Sequence, residues 1–178
     1  MKPVMRTACL SSMILAAGLM GTLPPAAAQD AATIPERKVW VLRFDLGGVA
    51  KGWAADRAIE RGLAEIVSAG GDIASNHPEC EVVVEGPDGA PVATVHLGVG
   101  ALATSTTSRR RWRVGDGVAH HLIDPRTGSP ADSPVTSATA LARTAVLAEA
   151  AAKTILLRGA GGLAWASAAD WIEGALVV

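Results

Sequence analysis

Between residues 38 and 178, short strand-like apolar runs alternate with helical periods, and glycines mark most of the changes. Lys38-Val39-Trp40-Val41-Leu42-Arg43-Phe44 is rich in β-branched and aromatic residues and predicts a strand. The spacing then predicts a helix from Ala50 to Ser68, with an apolar stripe of Trp53, Ala58, Ile59, Leu63, Ile66 and Val67. Gly62 weakens that helix by up to about 1 kcal/mol relative to alanine. A glycine turn, Ala69 to Asp72, leads into Ile73-Ala74. Glu81–Glu85 and Val92–Leu97 flank Gly86-Pro87-Asp88-Gly89 and predict a hairpin. The apolar segment Val99–Ala103 leads into a hydroxyl-rich turn, Thr104 to Ser108. Val135–Ala142 predicts a strand, and Thr144–Leu157 an alanine-rich helix stopped by Gly159, Gly161 and Gly162. A short amphipathic piece, Leu163–Asp170, precedes a final strand from Ile172 to Val178. The class is α+β, without internal repeats.

The start of the chain has a different pattern. Lys2 and Arg6 precede an uncharged apolar stretch from Ala8 to Leu23, then Pro24-Pro25-Ala26-Ala27-Ala28. That order predicts an export signal over residues 1–28 with cleavage after Ala28. The stretch is too short and too rich in small residues for a membrane anchor, so no stable span is expected after its removal. Cys9 has Arg6 three positions upstream, which argues against a lipidation site. Residues 29–43 read as a linker and the first strand, and residues 44–178 as one domain. Nearly half of the sequence, 49 %, is apolar, enough for a core, and the net charge of −1 gives no sign of nucleic-acid binding. Cys80 is the one cysteine after residue 28, so neither an internal disulfide nor a cysteine metal site is available.

The densest chemistry lies in His120-His121-Leu122-Ile123-Asp124-Pro125-Arg126-Thr127-Gly128. Pro125 fixes φ and Gly128 accepts positive φ, so a rigid turn holds two imidazoles, a carboxylate, a guanidinium and a hydroxyl. Read alone, such a run is equally a polar hairpin tip. Further glycine- or hydroxyl-rich turns occur at Asp45–Gly52, Gly70–Asp72 and Thr104–Ser108. Gly47-Gly48 before a helix suits a phosphate, and Lys51 supplies a point charge for it. His77 and His96 are isolated, and Trp165 and Trp171 look like packing residues. The Arg109–Arg113 cluster reads as a solvated loop, with Trp112 in rim or core packing.

Taken in order, four stretches resemble the signature of the FAD:protein FMN transferase (ApbE) family. They are Asp45-Leu46-Gly47-Gly48-Val49-Ala50-Lys51-Gly52-Trp53-Ala54-Ala55-Asp56-Arg57, Gly70-Gly71-Asp72, Ala103-Thr104-Ser105 and His120–Gly128. The resemblance runs from about Phe44 to the C-terminus and matches the family's C-terminal portion. The family's N-terminal half would precede Asp45, and it is missing here. The resemblance implies a T-fold-like domain of antiparallel sheet and packed helices, exported and dependent on Mg²⁺. It also implies an enzyme that cleaves FAD and attaches FMN through a phosphoester to a Thr or Ser of an acceptor flavoprotein, releasing AMP.

By the same resemblance, Gly47, Gly48, Lys51, Gly52, Asp56, Gly70, Gly71, Asp72, Thr104, Ser105 and Thr127 line the FAD site. His121, His120 and Asp124 border the reacting phosphate, with His121 the preferred base. The sequence departs from the family in two places within this region. Thr106 replaces a glycine, and Glu149 and Lys153 stand where the family has an Asp and, four residues on, a Thr as metal ligands. Residues four apart share a helix face, so Glu149 and Lys153 can form an exposed ion pair. Glu149 still offers a carboxylate that suits Mg²⁺, whereas Lys153 would neutralise part of the pyrophosphate and leave metal binding weakened, and Thr154 points too far round the helix to substitute as a ligand. Two other functions stay open: a non-catalytic FAD- or nucleotide-binding domain, and a Mg²⁺-dependent FAD pyrophosphatase.

Overall fold

The computed structural model describes residues 4–6 and 46–178. The rest of the expected signal, the linker and the expected Lys38–Phe44 strand lie outside the described residues. Among the described residues, the centre is a five-stranded antiparallel sheet in the order β12-β11-β6-β3-β2. Its strands are β2 (Ile66–Ala69), β3 (Asp72–Ser75), β6 (Gly100–Thr106), β11 (Ser137–Ala142) and β12 (Ile172–Val177). Helices α1 (Ala50–Glu60), α2 (Ala145–Arg158) and α3 (Gly162–Ala168) belong to the same unit. A hairpin of β4 (Glu81–Glu85) and β5 (Pro91–His96) completes the core, with β1 (Val4–Arg6) parallel beside β4. This is the α+β class that the sequence predicts.

The sheet's two faces follow from strand alternation. Ala101 and Ala103 of β6 pack with Ala74, Ala142, Ala55, Ala145 and Ala148, which sets α1 and α2 against one face through small side chains. Ile73 and Leu102 point the other way and join Val82, Val84, Leu97 and Cys80 beneath the β4–β5 hairpin. A third cluster joins Ile155 and Leu156 of α2 to Leu122, Val135 and Ala138. Trp165 and Trp171 pack against it in an edge-to-face pair with centroids 5.9 Å apart, the packing role expected of them.

Helix α1 is shorter than its periodicity predicts. It ends at Glu60 because Gly62, at φ +64°, closes a Schellman motif: Gly62 N–H donates to Ile59 C=O and Leu63 N–H to Ala58 C=O. The β-branched Ile66-Val67 then enters β2, and Gly70 and Gly71, both at positive φ, make the two-residue turn into β3. The expected apolar stripe is accordingly not the buried one. Trp53 and Leu63 are 58 % and 73 % exposed, whereas Gly52 and Ala55 face the interior.

Two further segments differ from expectation. Thr104 and Ser105 lie within β6 rather than in a turn, where the Thr104 and Thr139 hydroxyls pair across strands at 2.8 Å. The arginine cluster is part of a hairpin, β7 (Arg111–Val114) with β8 (Gly117–His120), closed by Gly115-Asp116 with Gly115 at φ +56°. No helix among the described residues is long and apolar enough to cross a membrane.

Gly52 is where α1 meets α2. A Cβ there would lie 2.7 Å from the carbonyl carbon and oxygen of Ala145 and 2.8 Å from the nitrogen of Val146. These are backbone atoms in a buried contact and cannot swing aside. Gly52→Ala is therefore expected to lower stability by about 1–3 kcal/mol despite alanine's better helix propensity. Denaturant unfolding of the variant against the parent measures it.

Candidate functional site

Helix α1, strand β3 and helix α2 bring four charged side chains together on the helix-covered side of the sheet. Asp72 is the first residue of β3, and its carboxylate is taken out of water at 1 % exposure. Glu149 falls within the buried face of α2 among Ala145, Ala148 and Ala152, also at 1 %. Lys51, from the first turn of α1, pairs with Asp72 Oδ2 and lies 3.2 Å from Glu149 Oε1. Lys153 reaches the same Oε1 at 2.8 Å, and the Gly52 N–H donates to Oε2 at 3.1 Å. The Glu149–Lys153 pair is thus not the exposed ion pair that its spacing suggests. It closes a buried network, because α2 turns this carboxylate inward.

The glycines around the cluster let the lysine stems lie close to backbone. A Cβ at Gly48 would stand 3.7 Å from Lys153 Cε, and one at Gly70 3.4 Å from Lys51 Cδ. Burial pushes the Asp72 carboxyl up to about 6 against the opposing pull of Lys51. Burial also works to raise Glu149, but the hydrogen bond and charge of Lys153 and the charge of Lys51 hold it below its usual range. For Lys51, burial acts downward and the two carboxylates more than offset it, raising its pKa.

The residues of the His-His turn divide into two groups. His120 ends β8 and is buried; its Nε2 lies 3.0 Å from the Ala131 carbonyl and its Nδ1 accepts the Leu122 N–H. That pattern fits a neutral ring with the proton on Nε2. Asp124 is held by Arg126, which donates from its backbone N–H at 2.9 Å and from Nη2 at 2.7 Å. Arg126 lowers the Asp124 pKa through these hydrogen bonds, and its Nη2 also donates to the Leu157 carbonyl. The Thr127 hydroxyl donates to the Asp124 carbonyl and accepts the Ser129 N–H. These three residues therefore use their polar atoms to build the turn between β9 (Ile123–Asp124) and β10 (Ser129–Pro130).

His121, by contrast, is solvent-accessible. Its pKa lies below the usual histidine value through partial desolvation, with the positive charges of Arg110, Lys153 and Lys51 acting in the same direction.

The remaining expected residues have distinct places. Both oxygens of Asp56 are engaged at the start of α2, accepting the Ala145 and Val146 N–H at 2.7 and 3.1 Å. Thr144 adds its own cap to the Leu147 N–H. Gly70, Gly71, Thr104, Thr106, Arg109 and Ser137 line a shallow cleft together with the β4–β5 turn. Thr104 and Ser105 are neighbours in a strand, so they face opposite sides of the sheet. Gly47 precedes α1 in a 3₁₀ turn over Leu46–Gly48. Arg126 was not among the expected site residues; its signal in the sequence is the Asp-x-Arg spacing within a proline turn.

The ApbE family profile matches residues 26–176 of the chain. The chain belongs to the ApbE family. Among solved structures, the ApbE protein of Thermotoga maritima is similar at 31 % identity and TM-score 0.66, over 76 % of this chain and 48 % of that one. The flavin transferase ApbE of Vibrio cholerae is similar at 27 % identity and TM-score 0.60, over 76 % and 50 %. The Pseudomonas stutzeri flavinyl transferase ApbE in its apo form shares the fold at 23 % identity and TM-score 0.63, over 77 % and 46 %. The chain spans about half the length of these relatives. No curated protein sequence matches it.

The donor set does not fit the Mg²⁺ that this family implies. Mg²⁺ requires oxygen ligands free to coordinate. Here Glu149 Oε1 holds two ammonium groups, Oε2 holds a backbone N–H, and Asp72 Oδ2 holds Lys51. The Thr154 hydroxyl is turned back onto the Ala150 carbonyl at 2.8 Å. Among the described residues no group of three or more His, Cys, Asp or Glu side chains is arranged to hold a metal.

Capping by Asp56 seats the start of α2 and so the turn that carries Glu149. Asp56→Ala is expected to cost about 1–2 kcal/mol of stability, with Asp56→Asn nearer the parent. Thermal or denaturant unfolding of the two variants checks the order.

Proposed function

We propose that this chain is a flavin transferase that takes FAD, attaches its FMN half to a hydroxyl of an acceptor flavoprotein, and releases AMP. Family membership and the flavin transferases among its structural relatives support the reaction class. The observation that carries the reading for this chain is the pair of ammonium groups, Lys51 and Lys153, held in place by the buried carboxylates of Asp72 and Glu149, with His121 the exposed imidazole of the His-His turn. Phosphoryl transfer needs little from a protein beyond positioning, charge neutralisation and a proton acceptor.

In this reading the Thr or Ser hydroxyl of the acceptor gives its proton to His121 as its oxygen attacks the phosphorus on the FMN side. The bond to the bridging oxygen breaks and AMP leaves with that oxygen. Lys51 and Lys153 face the charge that develops on the phosphates. His120, Asp124 and Arg126 act as positioning residues that hold the turn. The chain acts on extracytoplasmic flavoproteins after loss of residues 1–28, which N-terminal sequencing of the exported protein checks.

Incubation of the chain with FAD and an acceptor flavoprotein tests the reading. Covalent flavin fluorescence on the acceptor, with AMP in equal amount, is the expected result. Free FMN with AMP and no labelled acceptor indicates a pyrophosphatase, and unchanged FAD indicates a binding domain. His121→Asn is expected to lower turnover about 10²- to 10⁴-fold, as for loss of a general base.

The pH dependence has a defined sign. A base must be neutral, and the lowered pKa of His121 keeps it so at pH 7. Acidification removes its lone pair, so the rate falls on the acid side with a midpoint below 6.5. A rate profile measured from pH 5 to 8 tests this; His121→Asn should remove the His121 limb and leave only the titration of Asp72, whose carboxyl is pushed up to about 6 by burial.

A further inference from the structure

We infer that Lys153, together with Lys51, supplies the cationic half of the diphosphate site, so that this chain binds its diphosphate ligand without a divalent metal. The inference rests on the flavin-transferase reading only for the identity of that ligand. An ammonium group has three N–H donors and no acceptor. Lys153 Nζ uses one donor on Glu149 Oε1, and Lys51 Nζ divides between Asp72 Oδ2 and Glu149 Oε1. Two donors on Lys153 and one on Lys51 remain for an incoming anion.

The arrangement also has a direction. The carboxylates are buried at 1 % exposure, while the Lys51 and Lys153 side chains keep 26 % and 24 % of theirs. Negative charge therefore lies behind and positive charge in front, although the four formal charges cancel. The carboxylates fix the two ammonium groups in place before a ligand arrives, which removes the ordering cost that free lysines would carry. The stems lie close to Gly48 and Gly70, so a phosphate at the ammonium groups would meet glycine-rich backbone as well. A divalent cation seated on Glu149 Oε1 would have to displace both lysines from the oxygen and then face them at close range. Protonated Lys153 thus takes the role of the cation and blocks its seat.

The test is calorimetric binding of ADP and of FAD to the full chain in EDTA and then in excess Mg²⁺. Affinities within about twofold of each other in the two conditions are expected. Lys153→Met is expected to weaken both ligands at least about tenfold in EDTA, as for loss of a charge-assisted hydrogen bond. Lys153→Arg should bind within about threefold of the parent. Lys153→Gln, which keeps a donor for Glu149, serves if the methionine variant does not fold. Binding that requires Mg²⁺ in the parent overturns the inference, as does parental affinity in the Met or Gln variant. Lys153-dependent ADP binding without any covalent flavin on the acceptor upholds this inference and removes the transferase reading. Flavinylation that appears only together with Mg²⁺-dependent ADP binding does the reverse.

Discussion

Two carboxylates taken out of water set the terms for the rest of this domain. Asp72 and Glu149 sit in the interior, where an unpaired ion costs several kcal/mol even after relaxation. Each therefore needs a cation, and the cations come from separate elements: Lys51 from α1 and Lys153 from α2 itself. Through Lys51 the network ties α1 to β3 and α2, and through the Gly52 N–H it ties the α1 backbone to Glu149. Removing one partner would strand another charge in the interior. The ion cluster thus limits how these three elements can shift past one another, and it keeps the glycine turns on either side in register with it.

The packing around the cluster follows from that requirement. A lysine can reach a carboxylate on a neighbouring element only if the elements approach closely. The alanines of β3, β6, β11 and α2 allow it, and Gly52 removes the last side chain between α1 and α2. Asp56 then fastens the start of α2 to α1 through two N–H groups that would otherwise have no intrahelical partner. The resemblance assigned Asp56 to the ligand. Its contacts instead assign it to the geometry that holds Glu149 beneath Lys51.

Much of the fold was legible where local chemistry and tertiary packing agreed. The β4–β5 hairpin, the α2 helix with its Thr144 cap and glycine stop, and the final strand follow from their own residues. The α1 helix was overextended because Ile66 and Val67 continue a helical spacing. Only the Gly62 backbone conformation and pairing with β3 turn them into a strand. Thr104 and Ser105 read as a turn because hydroxyls favour turns, but β-branched threonines pair equally well across strands. The lysine cluster was half legible: the spacing of Glu149 and Lys153 was visible, their burial was not. A glutamate at the interior spacing of an alanine-rich helix was the available signal, and its meaning depended on Lys51, about a hundred positions away in sequence.

The two histidines of the turn show why adjacent, chemically identical residues need not share a role. Successive side chains of extended chain point to opposite faces. His120, the last residue of β8, turns inward, and its ring nitrogens are taken by Leu122 and Ala131. His121 is then directed outward into solvent. Burying the first imidazole fixes the backbone from which the second projects. Asp124 and Arg126 lock the next turn of chain and tie it to the end of α2 through the Leu157 carbonyl. That same helix carries Lys153 one turn earlier, so the His-His turn and the lysine cluster are mounted on a single connected frame. In the proposed reaction, His121 as proton acceptor and Lys153 as neutralising charge would both owe their placement to residues that touch neither the proton nor the phosphate.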